Sequence, residues 1–445
     1  MSDNKQIFIS IASYRDPELL PTLQDMVKQA DNTEHLHIAI CWQHDNEGID
    51  YFVNAGMTLL HNEVSGEQER WRFQFHNALI DVLSIHYYLS QGACWARHCS
   101  ETFYANERYF MQIDSHCRFN TGWDTSMATL LESLRSQSPK PVLSGYPPAY
   151  EPGNEQKKAQ KVNRLIFREF NAHNIVMLKA MPFEGDSPVR GCYLAGGFIF
   201  ADGAFVKEVP NDPQIFFAGE EIAMSARAFT HGYDVYYPHI LLIWHYYGRR
   251  QHNKVWSDHN SEAKAAGLIE TAWWEKDKLS KYRVRSLFGL ESQPADLGRF
   301  TLGTQRTLKE LELHAGVFFQ RRAVLPAVIG KDRIGFFSDQ SQVENDLFTS
   351  VIYPNQKKIV IPAGQLDISR EDIAWWHIGI YDKQNTLLEK IEVDKNDVAS
   401  LFKQEGDELK IDIEFSSLKL LKPHAVRICP YINTQGWGET IERMW

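Results

Sequence analysis

The sequence lacks several features that would assign it to particular classes of protein. It contains no run of about 18 apolar residues, so no segment is predicted to cross a bilayer as a helix. Its six cysteines form no CxxC pair, which favours free, mostly buried thiols over disulfides. The opening Met1–Gln6 lacks the basic-then-apolar order of a signal peptide, and we therefore expect a cytoplasmic protein.

An excess of positive charge is also missing. The 47 lysines and arginines are outnumbered by 57 aspartates and glutamates, and the formal net charge is −10. This balance argues against nucleic acid as the main partner. Any anionic ligand would have to be bound by a local cluster of residues or by a metal. The hydrophobic content of 43% is that of a well-packed protein, and 445 residues are predicted to divide into two or three domains.

Residues 5–150 alternate between strand-like and helix-like segments. The β-branched stretch Ile7–Ala12 predicts a strand, Pro17–Gln29 carries apolar residues on one helical face, and Leu36–Trp42 predicts a second strand. This order is typical of βαβ units in a parallel sheet with helices packed on it. The predicted fold class is therefore α/β, and ligands of such sheets bind beyond the carboxyl ends of the strands.

After Gly330 the pattern changes to short segments that alternate in period two, with turn residues between them. Examples are Ala374–Tyr381 and Lys410–Phe415. We predict a small C-terminal all-β domain, sandwich-like in form, over residues 331–445. The α/β domain is predicted over residues 1–325, and no internal repeat is visible.

The stretch Tyr109–Phe119 contains the most informative motif. An apolar strand ends at Asp114, and His116 follows two residues later. Residues at i and i+2 of an extended segment point the same way, so one carboxylate oxygen and one ring nitrogen can bind the same cation. This mixed pair suits Mn²⁺ or a similar divalent ion and leaves positions open for a diphosphate. The alternative is that Asp114 ends the strand by accepting backbone hydrogen bonds and that His116 is an ordinary, partly buried histidine.

Three polar segments follow strand-like runs directly, and we expect them to meet at one edge of the sheet. They are Ser13–Asp16, His44–Asn46, which includes Asp45, and Asp114–His116, which includes Ser115. Polar strand ends that converge on one rim indicate a binding site rather than unrelated loops.

The motifs resemble those of two glycosyltransferase families. Gly92–Arg97, followed by the Asp114–Cys117 strand end, is similar to the polypeptide N-acetylgalactosaminyltransferases. With Ser13–Asp16, Gly219–Glu221 and Trp244–His245 added, the ordered set resembles more closely the GlcNAc-transferase family, whose known eukaryotic member modifies hydroxyproline on a cytoplasmic protein. Both families are metal-dependent and have the GT-A, Rossmann-like fold that binds nucleotide sugars.

The resemblance covers about residues 5–325 and implies a third metal ligand, His245, beside Asp114 and His116. The alternative for His245 is a place in the aromatic cluster formed by its sequence neighbours. A divalent ion, Mn²⁺ or Mg²⁺, would neutralise the charge that grows on a leaving diphosphate. The C-terminal β segment lies outside the likeness.

The residues that the resemblance assigns to the nucleotide and its phosphates lie at strand ends or close to them. They are Ser13, Tyr14, Arg15, Arg97, Arg249 and Arg250. Arg97 has the alternative of pairing with Glu101 one helical turn away. For Arg249 and Arg250 the alternative to phosphate binding is a place in a solvated basic turn.

Glu220 and Glu221 precede a predicted helix and are the candidate catalytic residues. An acidic first turn that complements the helix dipole explains one glutamate without any catalytic role. Because adjacent carboxylates must point apart, we expect one to cap the helix and the other to face the donor sugar or the acceptor. Gly196 and Gly197 are predicted to let the backbone approach the donor hexose, and a β-bulge is the alternative.

The resemblance thus implies transfer of GlcNAc from UDP-GlcNAc to a hydroxyl of a protein Ser, Thr or hydroxyproline, or of a glycan. It also implies retention of the α linkage, although no unambiguous nucleophile can be identified among the residues. One alternative is a hydrolase that cleaves nucleotide sugars with water as the acceptor. A second is a carbohydrate-binding protein that acts through the C-terminal β domain, with Trp375 and Trp376 exposed. We expect these tryptophans to pack in a core instead, which argues against this alternative.

Overall fold

The computed structural model describes residues 5–66, 68–249, 251–347, 351–433 and 435–445. Strands up to residue 324 build the first part of the chain. They are β1 (Ile7–Tyr14), β2 (Leu36–His44), β3 (Thr58–Ser65), β4 (Gln68–Phe75), β5 (Ala78–His86), β6 (Tyr109–Asp114), β7 (Cys117–Phe119), β8 (Pro141–Ser144), β9 (Val162–Phe170), β10 (Val176–Phe183), β11 (Val189–Gly191), β12 (Phe198–Asp202), β13 (Asp234–Tyr237), β14 (Ile243–His245), β15 (Val317–Phe318) and β16 (Ala323–Val324).

Helices connect most of these strands and cover the faces of the sheet. They are α1 (Leu19–Gln29), α2 (Asp50–Val53), α3 (Ala93–Glu101), α4 (Trp123–Ser133), α5 (Phe205–Glu208), α6 (Glu220–Thr230), α7 (Val255–Asp258), α8 (Ser261–Ala265), α9 (Trp273–Leu287), α10 (Leu308–Ala315), α11 (Pro326–Ile329) and α12 (Gln340–Leu347). The predicted α1 faces the core through Leu19, Leu23 and Met26, in keeping with its 3.6-residue periodicity.

A ten-stranded sheet in the order β11-β13-β8-β12-β6-β1-β2-β5-β4-β3 is the centre of the fold. Its middle strands β6, β1, β2 and β5 pair in parallel, as the βαβ order predicts. Strands β12, β4 and β3 run antiparallel to their neighbours, so the sheet is mixed rather than purely parallel. The parallel centre places the carboxyl ends of β1, β2 and β6 side by side.

The C-terminal part of the chain consists mainly of antiparallel strands, with one short helix, α13 (Val398–Leu401). The strands are β17 (Tyr353–Pro362), β18 (Ile373–Tyr381), β19 (Leu387–Asp394), β20 (Phe402–Glu405), β21 (Glu408–Ser417), β22 (Ala425–Ile432), β23 (Gly436–Trp437) and β24 (Ile441–Met444). They form a three-stranded and a five-stranded sheet that enclose a separate hydrophobic core, which includes Ile361, Trp376 and Ile411. This is the sandwich that the period-two pattern predicts.

Within the described residues, no helix is long and apolar enough to cross a membrane. All six cysteines are free, and five of them are buried.

A network of charged side chains joins β2, β4 and β5 to the segment just before β6. His37 of β2 contacts the Asp81 carboxylate of β5 through Nε2 at 2.8 Å and the Glu107 carboxylate through Nδ1. Arg72 donates two hydrogen bonds of 2.7 and 2.8 Å to Asp81. Burial lowers the pKa of His37, but its hydrogen bonds to the two carboxylates outweigh burial and raise that pKa above the ordinary value.

We predict that His37→Gln lowers the free energy of unfolding by about 3 kcal/mol at pH 6, because it removes the histidine cation from Glu107 and leaves Asp81 paired with Arg72 alone. The raised pKa means that the ion pair contributes fully below pH about 6.5 and is lost as the pH rises through the folded-state value. The difference between His37→Gln and wild type in urea unfolding should therefore shrink between pH 6 and pH 9. His61→Gln, at an exposed position of β3, is the matched control, and a loss that grows with pH would contradict the assignment.

Candidate active site

The parallel pairing of β1 with β6 positions the first part of the site. Ala12 lies opposite Asp114 in the ladder, so the last residue of β6 is adjacent to the end of β1. Beyond these two strand ends the chain turns, because Arg15 has a φ of 45° and residues 115–116 form a bend. The segments Ser13–Asp16 and Asp114–His116 therefore meet, as the sequence predicts.

Two short antiparallel strands bring in His245. In the β7–β14 ladder, His245 lies opposite Cys117, and the backbone N–H of Tyr246 donates to the His116 carbonyl at 3.0 Å. This pairing joins residues about 130 positions apart along the chain. It places the two imidazoles edge to face, with ring centroids 4.5 Å apart.

The candidate ligand atoms converge on one point. His245 Nε2 lies 3.1 Å from Asp114 Oδ2 and 3.0 Å from His116 Nε2, and the distance from His116 Nε2 to Asp114 Oδ2 is 4.0 Å. Among the described residues, these three form the one group of at least three His, Cys, Asp or Glu side chains with ligand atoms close enough to share an ion. Two imidazole nitrogens that face each other and a carboxylate form a set of donors suited to a divalent cation.

The protonation state of His116 fits such a ligand. Its Nδ1 lies 2.7 Å from the fully buried carboxylate of Asp16, and its Nε2 lies 3.2 Å from Nη1 of Arg249. A carboxylate at Nδ1 and a guanidinium donor at Nε2 both require the proton on Nδ1, so Nε2 carries a lone pair. This lone pair accepts from Arg249 in the structure, and a bound metal would take the place of that donor. Burial lowers the pKa of His116 in spite of the hydrogen bond to Asp16.

The Asp16 carboxylate contacts several side chains of the site. Its Oδ2 also accepts a 2.6 Å hydrogen bond from the Ser115 hydroxyl and lies 3.1 Å from Nη2 of Arg249. Burial raises the pKa of Asp16, but the hydrogen bond from His116 and the charge of Arg249 outweigh burial and lower the pKa overall. The carboxylate is therefore ionised and orients the predicted ligand. Arg250 lies outside the described residues.

Arg97 is part of the site but does not pair with Glu101. Its guanidinium donates to Oδ1 of Asp114 and to Oε2 of Glu220, both at 2.9 Å, and its side chain is 5% exposed. Glu101 instead accepts hydrogen bonds from the backbone and side-chain amides of Asn211. Burial raises the pKa of Asp114, and the hydrogen bond from His245 together with the charge of Arg97 lowers it well below its ordinary value.

The two adjacent glutamates in the first turn of α6 point in different directions, as expected, but both bond to other elements and neither caps the helix. Glu220 faces Arg97 and accepts a hydrogen bond from the Cys94 thiol at 3.0 Å. Glu221 accepts a 2.5 Å hydrogen bond from the Tyr146 hydroxyl and a 3.0 Å one from the backbone N–H of Gly196. Burial raises the pKa of Glu221 to about 7 in spite of the Tyr146 hydrogen bond.

Gly196 and Gly197 let carboxylates of the site approach the backbone closely. A Cβ at Gly196 would lie 2.3 Å from Oε1 of Glu220, and one at Gly197 would lie 2.8 Å from Oδ2 of Asp114. Gly197 lines the main cavity, whereas Gly196 lies behind it in a small pocket beside Arg97. A side chain at either position would displace a charged group of the site.

A cavity of about 580 Å³ opens over these groups. Its polar side carries the three candidate metal ligands, both glutamates, Arg97 and Arg249. Its other side is apolar and is formed by the following residues: Val176, Met177, Leu178, Phe216, Phe217, Val255 and Trp256. The cavity therefore offers a charged end and an apolar end to whatever it binds.

The predicted nucleotide contacts at the end of β1 are only partly brought to the cavity. Tyr14 lines it, and its hydroxyl donates to Asp258 at 2.8 Å. Arg15 donates to the same carboxylate at 3.0 Å and lies 3.6 Å from Asp45. Asp45 is exposed, and the buried Ser13 hydroxyl has no hydrogen-bond partner among the described residues. Neither these two residues nor Arg15 line the cavity.

Three residues of the site were not selected from the sequence. Asp16 belongs to the Ser13–Asp16 motif, and the strand-end rule that favoured its neighbours applies to it equally. Tyr146 follows the end of β8 by two residues, so the same rule could have found it. Asp258, which holds both Tyr14 and Arg15, is the last residue of α7, and no sequence pattern marks it.

Comparison with known proteins identifies the family of the chain. A family model described as glycosyltransferase (GlcNAc) matches residues 6–321, more than two thirds of the chain. The chain therefore belongs to this GlcNAc glycosyltransferase family. The prediction of a GT-A type α/β domain with additional β sheets at the C-terminus is confirmed.

Solved structures show more distant likenesses. GalNAc-T7, crystallised with UDP, GalNAc and Mn²⁺, is 15% identical with a TM-score of 0.43, over 69% of this chain and 54% of that one. TarS of S. aureus is 12% identical with a TM-score of 0.35, over 99% of this chain and 77% of that one. The chain spans about half the length of GalNAc-T7. A search of curated proteins finds no sequence match.

We predict that Glu221→Gln raises the free energy of unfolding at pH 8 by about 3 kcal/mol, since a pKa raised from 4.5 to about 7 makes the ionised carboxylate unfavourable in the folded state. The raised pKa means that wild-type stability falls as the pH rises from about 4.5 to about 7, and glutamine has no such loss. Urea unfolding at pH 4.5 and pH 8 measures the difference. Glu63→Gln, exposed on β3, is the control, and an equal loss of stability at both pH values would contradict the prediction.

Proposed function

We propose that this glycosyltransferase transfers GlcNAc from UDP-GlcNAc to a hydroxyl acceptor and depends on a divalent cation, Mn²⁺ or Mg²⁺. Asp114, His116 and His245 would hold the cation. The observation that carries the proposal is the convergence of these three ligand atoms at the charged end of a cavity. One of the three residues, His116, is held in the tautomer protonated on Nδ1 by its hydrogen bond to Asp16.

Breaking the bond between sugar and diphosphate requires that the growing negative charge be neutralised. A bound divalent cation supplies this as a Lewis acid. The chain adds its own positive charge through Arg249, whose guanidinium lies 3.2 Å from Nε2 of His116 and lines the cavity. Asp16 keeps the proton of His116 on Nδ1, so that Nε2 stays a donor of electrons.

Arg97 links the metal site to the candidate catalytic carboxylates. It holds Asp114 with one amino group and Glu220 with the other, so the position of Glu220 is tied to that of the ion site. We assign Glu220, which lines the cavity, to the donor sugar or the attacking hydroxyl. Glu221, with a pKa of about 7, gains or loses a proton near neutral pH, and the charge of the cavity wall beside Glu220 changes with it. Retention of the α linkage is part of the proposal.

The apolar end of the cavity favours transfer to an acceptor over hydrolysis. Water needs no apolar surface, whereas Phe217 and Trp256 are 52% and 40% exposed, with ring centroids 5.7 Å apart at this end. Analysis of the products separates the two reactions, because a transferase forms a glycoside and a hydrolase forms free sugar. The acceptor we propose is a protein Ser, Thr or hydroxyproline, or a glycan. The free cysteines agree with a cytoplasmic location, which remains part of the proposal.

We predict that chelation abolishes turnover of UDP-GlcNAc and that Mn²⁺ restores it. His116→Ala should lower kcat/KM by roughly two or more orders of magnitude, because loss of one ligand removes several kcal/mol of charge stabilisation in the transition state. The matched control is His61→Ala, an exposed histidine of β3.

Thermal unfolding of the same variants distinguishes catalysis from structure. His116→Ala should stay folded and melt moderately below wild type in the absence of metal, because the buried Asp16 carboxylate loses one donor but keeps Ser115 and Arg249. A variant that melts far lower but keeps its activity per folded molecule would show that His116 is structural, and full activity in excess chelator would exclude the metal.

We also propose that the C-terminal sandwich orients or selects the acceptor and takes no part in donor chemistry. None of its described residues lines the 580 Å³ cavity. The segment just before it belongs with the first part of the chain, since Phe336 and Phe337 pack against that core and Val343 is part of it.

A chain ending at Leu347 should therefore keep Phe336, Phe337 and Val343 and still bind UDP with Mn²⁺, while transfer to the natural acceptor falls at least tenfold. Calorimetry with UDP and Mn²⁺ makes the comparison. A folded truncation that no longer binds the nucleotide would show that the sandwich helps to form the donor site.

A further inference from the structure

The outer face of the five-stranded C-terminal sheet carries an aromatic cluster that no step above uses. Along β18, Trp376, Ile378 and Ile380 face the core of the sandwich, which places Trp375 and His377 on the opposite face. Trp376 is 2% exposed, which agrees with the expected core packing, whereas Trp375 lies on the outer face. Trp375 is half-buried because it packs on the outside of the sheet.

Three rings on neighbouring strands form this cluster. Trp375 of β18 pairs with Tyr431 of β22, and Tyr431 pairs with Trp437 of β23. The first two rings are stacked, 5.3 Å apart and 14° from parallel. Trp437 stands nearly perpendicular to both, at 4.9 and 5.3 Å, and remains 56% exposed. Because the sheet fixes all three rings, a ligand would meet a surface that is already organised.

A concavity of about 390 Å³ lies beside these rings. Its rim is polar and carries both signs of charge. Lys390 and Glu392 of β19 form an ion pair at 2.9 Å, and Arg427 of β22 is held by Glu442 at 2.6 Å. These side chains offer donors and acceptors around an apolar ring surface, and the concavity shares no residue with the candidate active site.

We infer that this concavity is a binding site for an oligosaccharide. A pyranose ring has an apolar C–H face that suits the face of an indole, and hydroxyl groups at its edge that suit charged hydrogen-bond partners. The mixed charges of Lys390, Glu392 and Arg427 match a neutral polyhydroxylated ligand and give no net attraction for a polyanion. The volume is at the lower end for a ligand pocket and accommodates one or two sugar rings. The inference does not depend on the donor or acceptor proposed above.

The test is binding of the full chain to a printed array of hexose and N-acetylhexosamine oligosaccharides, followed by calorimetric titration of the best ligand. Trp437→Ala should weaken binding at least tenfold, and Trp437→Phe should keep it within about threefold, since an aromatic ring remains. Leu418→Ala, at a 73% exposed position of the same sandwich, is the control and should bind as wild type.

Two further variants separate this site from the active site. His116→Ala should keep the array signal, which shows that the glycan is not bound at the candidate metal site. Trp437→Ala should hydrolyse UDP-GlcNAc or transfer to a small acceptor at the wild-type rate. The inference is overturned if no oligosaccharide binds, or if Trp437→Ala binds as tightly as wild type. It is also overturned if Trp437→Ala converts a dimer into a monomer in ultracentrifugation without changing glycan binding, because the face would then be a contact between copies of the chain.

Discussion

The site depends on one buried negative charge. The Asp16 side chain is fully inaccessible to solvent, and an ionised carboxylate in such a place must be surrounded by donors. Ser115, His116 and Arg249 provide them, from the turn after β6 and from the segment after β14. Satisfying this one group therefore fixes the bend beyond β6, the orientation of His116 and the path of the chain that closes the charged end of the cavity.

The arrangement of charge beyond Asp16 follows from the same requirement. Asp114 is partly buried, with 26% of its side chain exposed, and Arg97 compensates its charge while holding Glu220 with its second amino group. Glu221 accepts hydrogen bonds from neutral donors, the Tyr146 hydroxyl and the Gly196 N–H, and burial raises its pKa to about 7. One wall of the cavity thus combines carboxylates of different protonation behaviour, which is a common arrangement in sites that transfer protons and stabilise leaving groups.

Local patterns predicted the elements that depend on local physics. The strand β1, the helix α1 and the convergence of the strand ends at Asp114 follow from periodicity and from the geometry of parallel sheets. Contacts over long sequence separations could not be read in this way. His245 was assigned by family resemblance, because no local pattern predicts that β7 pairs with β14. The partner of Arg97 was left undecided between Glu101 and a ligand, because helix spacing gives no information on Glu220, which is distant in sequence. The sandwich was predicted from alternation, but which tryptophan faces outward depends on strand register.

Anomalous diffraction from crystals soaked with UDP and Mn²⁺ tests the central claim most directly. The account predicts one manganese peak within coordination distance of Asp114 Oδ2, His116 Nε2 and His245 Nε2, in contact with the diphosphate. An Asp16→Asn crystal should show the same peak at reduced occupancy, because the orientation of His116 is weakened. A manganese peak elsewhere in the cavity, or UDP bound at full occupancy with no peak at these three residues, would contradict it.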